Sequence, residues 1–458
     1  YQYYTQYNKI ILDNVSLQKI LFKHICWQRI CCQNVCWRFA DMPELSEALG
    51  KWVAGDDFWD REKDIEIFME RIEQGAHQLL VAQRRTGKTS LLKETERRIN
   101  QEGRYLCLFV DFQKAQCAPD AIVDLSLAVK PYQSLWKKTT DVFSNVLNKI
   151  METVEEVNVK EIGIKIRSGL TSGNWAEKGD QIFDILASFD KPVVLLMDEI
   201  PILINEMLKG QDYRITPERK QAVHEFMSWL RKNSLQHQGN IRIVLSGSIG
   251  LEAILRQANL TSTINNFASF KLKPWDEETA EAFLNEIAHR YDLHFDEGVT
   301  GEMLKHLGCL IPHHVQMFFS SVREWCKRKG TNKVTLEDVE MVYKGEMLSV
   351  SGHAELAHYE ERLEKVLGKE QFAIALDILT ETAVTGSITR EVLQKLPLYH
   401  EILKSADESL LKEILWVLEH DGYLEQKEDR YVFVSLLLKD WFKARHEFFF
   451  TPILKRGG

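Results

Sequence analysis

The chain has 458 residues, 45% of them hydrophobic and 27% charged, with a formal net charge of −9. That length holds roughly two to four domains with ample apolar content for buried cores, and the acidic balance excludes a strongly basic nucleic-acid binder. No apolar run reaches the length of about 18 uncharged residues that a membrane span needs, and eight cysteines in so long a chain do not make a disulfide scaffold.

Residues 1–41 lack amphipathic periodicity and turn punctuation, yet they carry Cys26, Cys31, Cys32 and Cys36, four of the eight cysteines. With His24 these could be drawn as a metal site, but their spacing fits no familiar zinc pattern. Lys23, His24 and Arg29 also interrupt any apolar signal-peptide core. The segment reads as an appendage to the functional fold, with Met42 as the natural start.

An aromatic and charged stretch, Asp57-Phe58-Trp59-Asp60-Arg61-Glu62, precedes a helical segment and then the apolar run Leu79-Leu80-Val81. That run leads into Ala82-Gln83-Arg84-Arg85-Thr86-Gly87-Lys88-Thr89-Ser90, followed by a helix-forming segment to Ile99. Strand, loop and helix are the setting of a phosphate-binding loop. Backbone N–H groups at the helix N-terminus, aided by its dipole, cradle anionic phosphates. Lys88 is placed to reach the β- and γ-phosphates and the Thr89 hydroxyl to ligate Mg²⁺. The pattern G-x-x-x-x-G-K-[ST] wants glycine first, where this chain has Ala82; alanine forgoes only the positive-φ freedom of glycine.

Tyr105 to Asp111 is a short strand-like run. Pro192-Val193-Val194-Leu195-Leu196-Met197-Asp198-Glu199 is a continuous apolar run ending in two carboxylates, the pattern of a central parallel strand buried on both faces. Asp198 is expected to hold Mg²⁺ and Glu199 to polarise an attacking water; the bland alternative is a strand ending in a solvated acidic turn. Ile241 to Ser248 and Phe267 to Leu272 complete the strands. Ser246 or Ser248 could hydrogen-bond a γ-phosphate or the water, or simply satisfy a turn. Strands alternating with longer helical segments indicate an α/β fold with a parallel sheet and ligands at the strands' C-terminal ends.

Taken together, Phe58-Trp59-Asp60-Arg61-Glu62 before Arg84-Arg85-Thr86-Gly87-Lys88-Thr89-Ser90-Leu91, then Asp198-Glu199-Ile200-Pro201 and Leu245-Ser246-Gly247-Ser248, resemble the archaeal-type ATPases. These belong to the signal-transduction (STAND) branch of the AAA+ P-loop proteins, and the resemblance spans about residues 53 to 445. It implies ATP and Mg²⁺ as cofactors, and Phe58, Trp59 and Arg61 near the adenine. Asp60 stands where the family usually has glycine. It also implies a helical lid that reaches back over the phosphates. Leu307-Gly308-Cys309-Leu310-Ile311-Pro312-His313-His314 resembles the lid's turn with altered spacing, and offers His313 as a γ-phosphate contact where relatives often have arginine; an ordinary capping or surface histidine is the alternative. Arg256 is a lower-ranked arginine for a neighbouring molecule, or a solvated helix charge.

From Phe270 the chain turns helical, with Asp276-Glu277-Glu278 after Pro274-Trp275 marking a helix N-terminus. The last hundred residues read as a winged helix: helices over Gln371–Leu379, Ile388–Leu396 and Leu410–Leu418, then a hairpin through Asp421–Val434. Such folds often read DNA. Residues 353–458, however, carry 14 Lys and Arg against 19 Asp and Glu, and that surface repels phosphates that a DNA reader must neutralise. Fold analogy alone does not license a DNA-binding assignment.

The expected organisation is therefore an appendage (1–41), a P-loop AAA+-like core (42–270), a helical lid (271–350) and a winged-helix-like module (351–458). The expected activity is that of a cytoplasmic, slow ATPase acting as a nucleotide-dependent switch, with a protein partner or self-association. Turnover would speed up if a partner or second subunit supplied an arginine. A DNA-binding ATPase like the origin-recognition initiators is the alternative from another class, and a degenerate nucleotide-binding scaffold is a third.

Overall fold

Five parallel strands, β1 (His77–Ala82), β2 (Leu106–Asp111), β3 (Val193–Asp198), β4 (Ile241–Ser246) and β5 (Phe267–Leu272), lie in the order β2-β3-β4-β1-β5. They belong to a computed structural model that describes residues 51–151, 159–405 and 408–456; the N-terminal appendage and its cysteines lie outside the described residues. Each strand foreseen from the sequence is present. On β3, Val193, Leu195 and Met197 enter one core while Val194 and Leu196 enter another, as the two-residue period of a strand requires. Both faces are covered, so all six β3 residues are buried.

The helices Glu62–Glu73 and Lys88–Glu102 cover one face through Phe68, Ile72, Leu91 and Leu92. Ala118–Ala128, Trp175–Ala187, Ile200–Lys209 and Pro217–Gln236 supply Ile122, Phe183, Leu203 and Phe226 to the core on the other. Where it is described, the long connection from β2 to β3 consists of helices joined by turns, a stretch that no motif had marked.

Beyond β5 the chain is mainly helical as expected. Asp276 caps Glu277–Arg290 by accepting the Thr279 N–H at 2.8 Å, which satisfies one of the helix's orphan donors. Helices Val299–Leu307, Pro312–Lys329 and Leu336–Val342 follow. Two strands of two residues, β6 (His294–Phe295) and β7 (Lys333–Val334), pair in parallel; they are too short to leave a periodic signal in the sequence.

In the C-terminal part, helices Val350–Leu367, Lys369–Thr385, Glu408–His420 and Leu436–His446 surround a small sheet. Its strands are β8 (Ile388–Thr389), β9 (Leu424–Lys427) and β10 (Arg430–Phe433), in the order β8-β10-β9. The hairpin lies where the sequence placed one. The helix expected from Ile388 is corrected: Ile388 and Thr389 pair with Tyr431 and Arg430, and the helix spans Arg390–Lys395. Both residues are β-branched and fit a pleated surface, so cross-strand pairing overrides the local helical spacing. One apolar core continues from the sheet into this part, down to the fully buried Trp441 and Phe442. No helix of the described residues is long and apolar enough to cross a membrane.

Candidate functional site

The loop after β1 carries its chemistry through backbone conformation. Gly87 sits at φ 94° and Arg85 at φ 65°, in the left-handed region that glycine enters without strain. Ala82, where the motif wants glycine, closes β1 in register with Leu272; extended backbone suits alanine equally well. Thr86 Oγ1 donates to the Gln83 carbonyl at 2.7 Å, and Ser90 Oγ accepts the Val53 N–H at 3.1 Å. Lys88 Nζ folds back onto the Ala82 and Gln83 carbonyls at 2.8 and 3.1 Å. Burial pulls its pKa down to about 8, against the opposing pull of Glu199, Asp198 and Asp421.

Adjacent parallel strands end on one edge of a sheet, so β3 and β4 deliver their terminal residues to this loop. Thr89 Oγ1 donates to Asp198 Oδ2 at 3.0 Å. Burial, and then the neighbouring Glu199, raise the Asp198 pKa, while the Thr89 bond opposes them. Glu199 itself sits at φ 60°. Its Oε2 accepts the Ser248 N–H at 3.0 Å and the Ser248 hydroxyl at 2.7 Å. Ser248 thus holds Glu199 through both its N–H and its hydroxyl. The intervening Gly247 is obligatory for packing: a Cβ there would lie 2.3 Å from Pro201 Cδ. Lys88, Thr89, Asp198, Glu199 and Ser248 line one cavity of about 350 Å³.

A second chamber of about 80 Å³ adjoins it, walled by Phe58, Trp59, Arg61, Trp275 and Pro312. Lys51, Arg85, Gly87, Ser90 and His313 line both. Trp59 packs edge-on against Phe283 at 5.7 Å and donates to the Thr279 carbonyl at 3.4 Å. Asp60 takes φ 29°, which explains how it stands in a glycine position: Asp is among the few residues with a side chain that tolerates left-handed backbone through local hydrogen bonds. Its Oδ2 accepts Thr279 Oγ1 at 2.8 Å. Arg61 is a brace, donating to the Thr86 carbonyl at 3.1 Å and the Lys273 carbonyl at 2.8 Å, and pairing with Asp64 at 3.0 Å.

His313 comes to the cavity from the helix Pro312–Lys329, and its ring meets Arg85 Nη1, 3.2 Å from Nδ1. Burial, then Arg85, depress its pKa to about 2, so it is a neutral imidazole there. Gln83 packs on the C-terminal hairpin approach, where a Cβ on Gly422 would fall 2.4 Å from Gln83 Cγ. Arg84 donates to the His358 carbonyl at 2.5 Å and lies over the Tyr359 ring at 5.5 Å. Arg256 is exposed and lies over the Trp416 ring at 4.8 Å. Sequence reasoning missed Lys51, Trp275 and Arg362, which also line these cavities. Trp275 directly follows Pro274 after β5 and could have been suspected; Arg362 lies far along the chain with no motif around it.

Among the described residues no cluster of three or more His, Cys, Asp or Glu is placed to hold a metal. The Thr89 hydroxyl and Asp198 carboxylate are nevertheless a hard-oxygen pair of the kind that holds Mg²⁺ together with water and substrate phosphates.

No family model and no curated protein matches the chain. Among solved structures it is similar to the Walker-type ATPase of Pyrococcus abyssi, at 18% identity over 86% of this chain and 98% of that one, with a TM-score of 0.58. It is also similar to the ORC2 protein of Aeropyrum pernix, at 14% identity over 84% and 93% of the two chains, TM-score 0.43. A further likeness, to the RuvB Holliday junction branch migration motor of Thermotoga maritima, has 12% identity, coverages of 83% and 94%, and a TM-score of 0.40. With its five-stranded parallel sheet and flanking helices, the chain shares the α/β fold of that Walker-type ATPase.

Proposed function

We propose that the protein binds and hydrolyses ATP and works as a nucleotide-dependent switch. The observation that carries this reading is the pair of adjoining chambers, one aromatic and one cationic, with the phosphate loop between them. The base enters among Phe58, Trp59 and Trp275. The phosphates meet the loop backbone from Ala82 to Ser90, and Lys88 exchanges the carbonyls of Ala82 and Gln83 for phosphate oxygens. Thr89 and Asp198 would hold Mg²⁺, which when bound neutralises phosphate charge. Glu199, oriented by Ser248, takes the proton of the attacking water. His313, being neutral, serves the γ-phosphate as a hydrogen-bond donor, not as a charge. In this reading residues 42–270 are the core, 271–350 the lid and 351–458 a winged-helix-like module that senses the loop through Gln83 and Arg84.

A pH dependence follows from the depressed Lys88 pKa of about 8. Phosphates favour the ammonium form, so the bound pKa lies higher than the free one. ATP affinity should be flat below that pH and fall above it by up to about tenfold per unit, with a proton taken up on binding. Calorimetry in two buffers of different ionisation enthalpy measures the uptake; constant affinity well above pH 8 with no uptake would refute it.

The choice between a protein-directed switch and a DNA-directed one rests on charge. The helix Glu408–His420 carries Glu408, Glu413 and Glu419 against Lys412 alone, and Asp421 lies toward Lys88. Lys412 is itself paired with Glu408 at 3.1 Å, and Asp421 is an anion, so this surface is poorly suited to base edges. The test is the full-length protein with and without a non-hydrolysable ATP analogue, assayed for mass in solution and for duplex binding. A nucleotide-dependent change of assembly state, with DNA affinity no tighter than the non-specific range of about 10⁻⁴–10⁻⁶ M at physiological salt, is expected. Nanomolar, sequence-dependent DNA binding would replace this reading with the initiator-like one.

A further inference from the structure

The helix Val350–Leu367 presents Arg362 to the cavity that holds Lys88, Thr89, Asp198 and Glu199. One of its guanidinium nitrogens, Nη1, is buried and makes no hydrogen bond among the described residues. Buried donors of a charged group are rarely left without an acceptor, because that forfeits their hydration. The surroundings sharpen the demand. Arg362 is close enough to Lys88 and Arg84 to disfavour the charge on each, and an anion between them would turn that repulsion into attraction.

The position of Arg362 is fixed from both sides. About one turn earlier, Arg84 of the loop donates to the His358 carbonyl at 2.5 Å, and the Tyr359 hydroxyl meets His314 Nε2 of the lid at 3.1 Å. About one turn later, Asn205 Nδ2 donates to the Lys365 carbonyl at 3.1 Å, Lys365 pairs with Glu206 at 2.9 Å, and Lys209 Nζ donates to the Val366 carbonyl. Asn205, Glu206 and Lys209 lie on the helix Ile200–Lys209, which begins directly after Glu199. The helix that carries Arg362 is therefore tied at one end to the phosphate loop and at the other to the element that carries the carboxylates. Other arginines of the cavity are already engaged: Arg84 on His358, and Arg85 on His313.

We propose that Arg362 is a γ-phosphate ligand supplied within the same chain by the helix that opens its C-terminal part. This rests on the ATP-site reading above and deepens it. As water attacks phosphorus, its oxygen forms the new bond, its proton passes to Glu199, and the bridging P–O bond breaks with the electron pair leaving on ADP. Arg362 neutralises charge on the transferred group throughout. Hydrolysis then needs no arginine from a neighbouring molecule, and seating of the helix Val350–Leu367 depends on whether the γ-phosphate is present.

The test uses full-length Arg362→Ala and Arg362→Lys, with ADP and a non-hydrolysable ATP analogue as calorimetric probes. ADP affinity should stay within about twofold of wild type, which also reports an intact fold. Analogue affinity should drop by about tenfold or more in Arg362→Ala and less in Arg362→Lys. Turnover should fall by about 10³-fold or more, the scale of an arginine at the transferring phosphoryl group. Mixing Arg362→Ala with Lys88→Ala should restore nothing, because every site would still lack one residue of its own chain. Equal losses for ADP and the analogue, no loss for either, or restored turnover on mixing would each overturn the assignment. Wild-type protein that binds neither probe would sink the ATP-site reading itself, a result distinct from any of these.

Discussion

Lys88→Ala should reduce affinity for both ADP and ATP by about 10²–10⁴-fold, the loss of about two charge-assisted hydrogen bonds at roughly 1.5–3 kcal/mol each. The geometry explains why no other group compensates. Lys88 Nζ is held on the loop's own Ala82 and Gln83 carbonyls, at the point where the loop turns into its helix. Arg84 and Arg85 are occupied with His358 and His313. Unfolding is not the expected cause, because burial already disfavours the Lys88 charge in the free protein; removing it relieves that penalty while forfeiting two hydrogen bonds. Titration calorimetry beside a thermal melt separates the two effects. Wild-type affinity in a folded variant would remove the loop from the proposed site.

Glu199→Gln should leave ATP binding nearly intact and lower turnover by about 10²–10⁴-fold, the range of a lost general base. Glutamine keeps the shape and still offers an oxygen to the Ser248 N–H and hydroxyl, which hold Glu199 Oε2 at 3.0 and 2.7 Å. What it lacks is the ability to accept the proton of water. Ser248→Ala should cost less, about tenfold, since the hydroxyl orients the carboxylate and the backbone N–H bond remains. Single-turnover measurements with saturating ATP check both variants. Undiminished turnover in Glu199→Gln would assign the base elsewhere.

The core of the site was legible because its chemistry is written in short, contiguous stretches. A strand buried on both faces must be an apolar run, and β3 is one, ending at Asp198. Glycine enters the left-handed backbone of a loop-to-helix turn without strain, and Gly87 marks that turn. Ala82 and Asp60, the two departures from the family pattern, could not be judged from sequence. Whether a missing glycine matters depends on φ: Ala82 is strand, and Asp60 sits in left-handed backbone where its carboxylate meets Thr279. The role of Ser248 was equally undecidable, because one hydroxyl can serve a phosphate, a water or a neighbouring carboxylate.

Local pattern alone determined that the chain has a parallel α/β sheet, where each of its strands runs, and which loop and carboxylates face one another at its edge. It did so because hydrophobic period and turn chemistry act over a few residues. Only the tertiary structure decided that Ile388 and Thr389 form a strand, that His313 is a neutral ring against Arg85, and that Arg256 is stacked on Trp416. It alone brought Arg362, far along the chain, to the cavity lined by Lys88, Asp198 and Glu199. These depend on burial and on partners far along the chain, and neither the desolvation of a group nor its distant neighbour has any signature in the residues beside it.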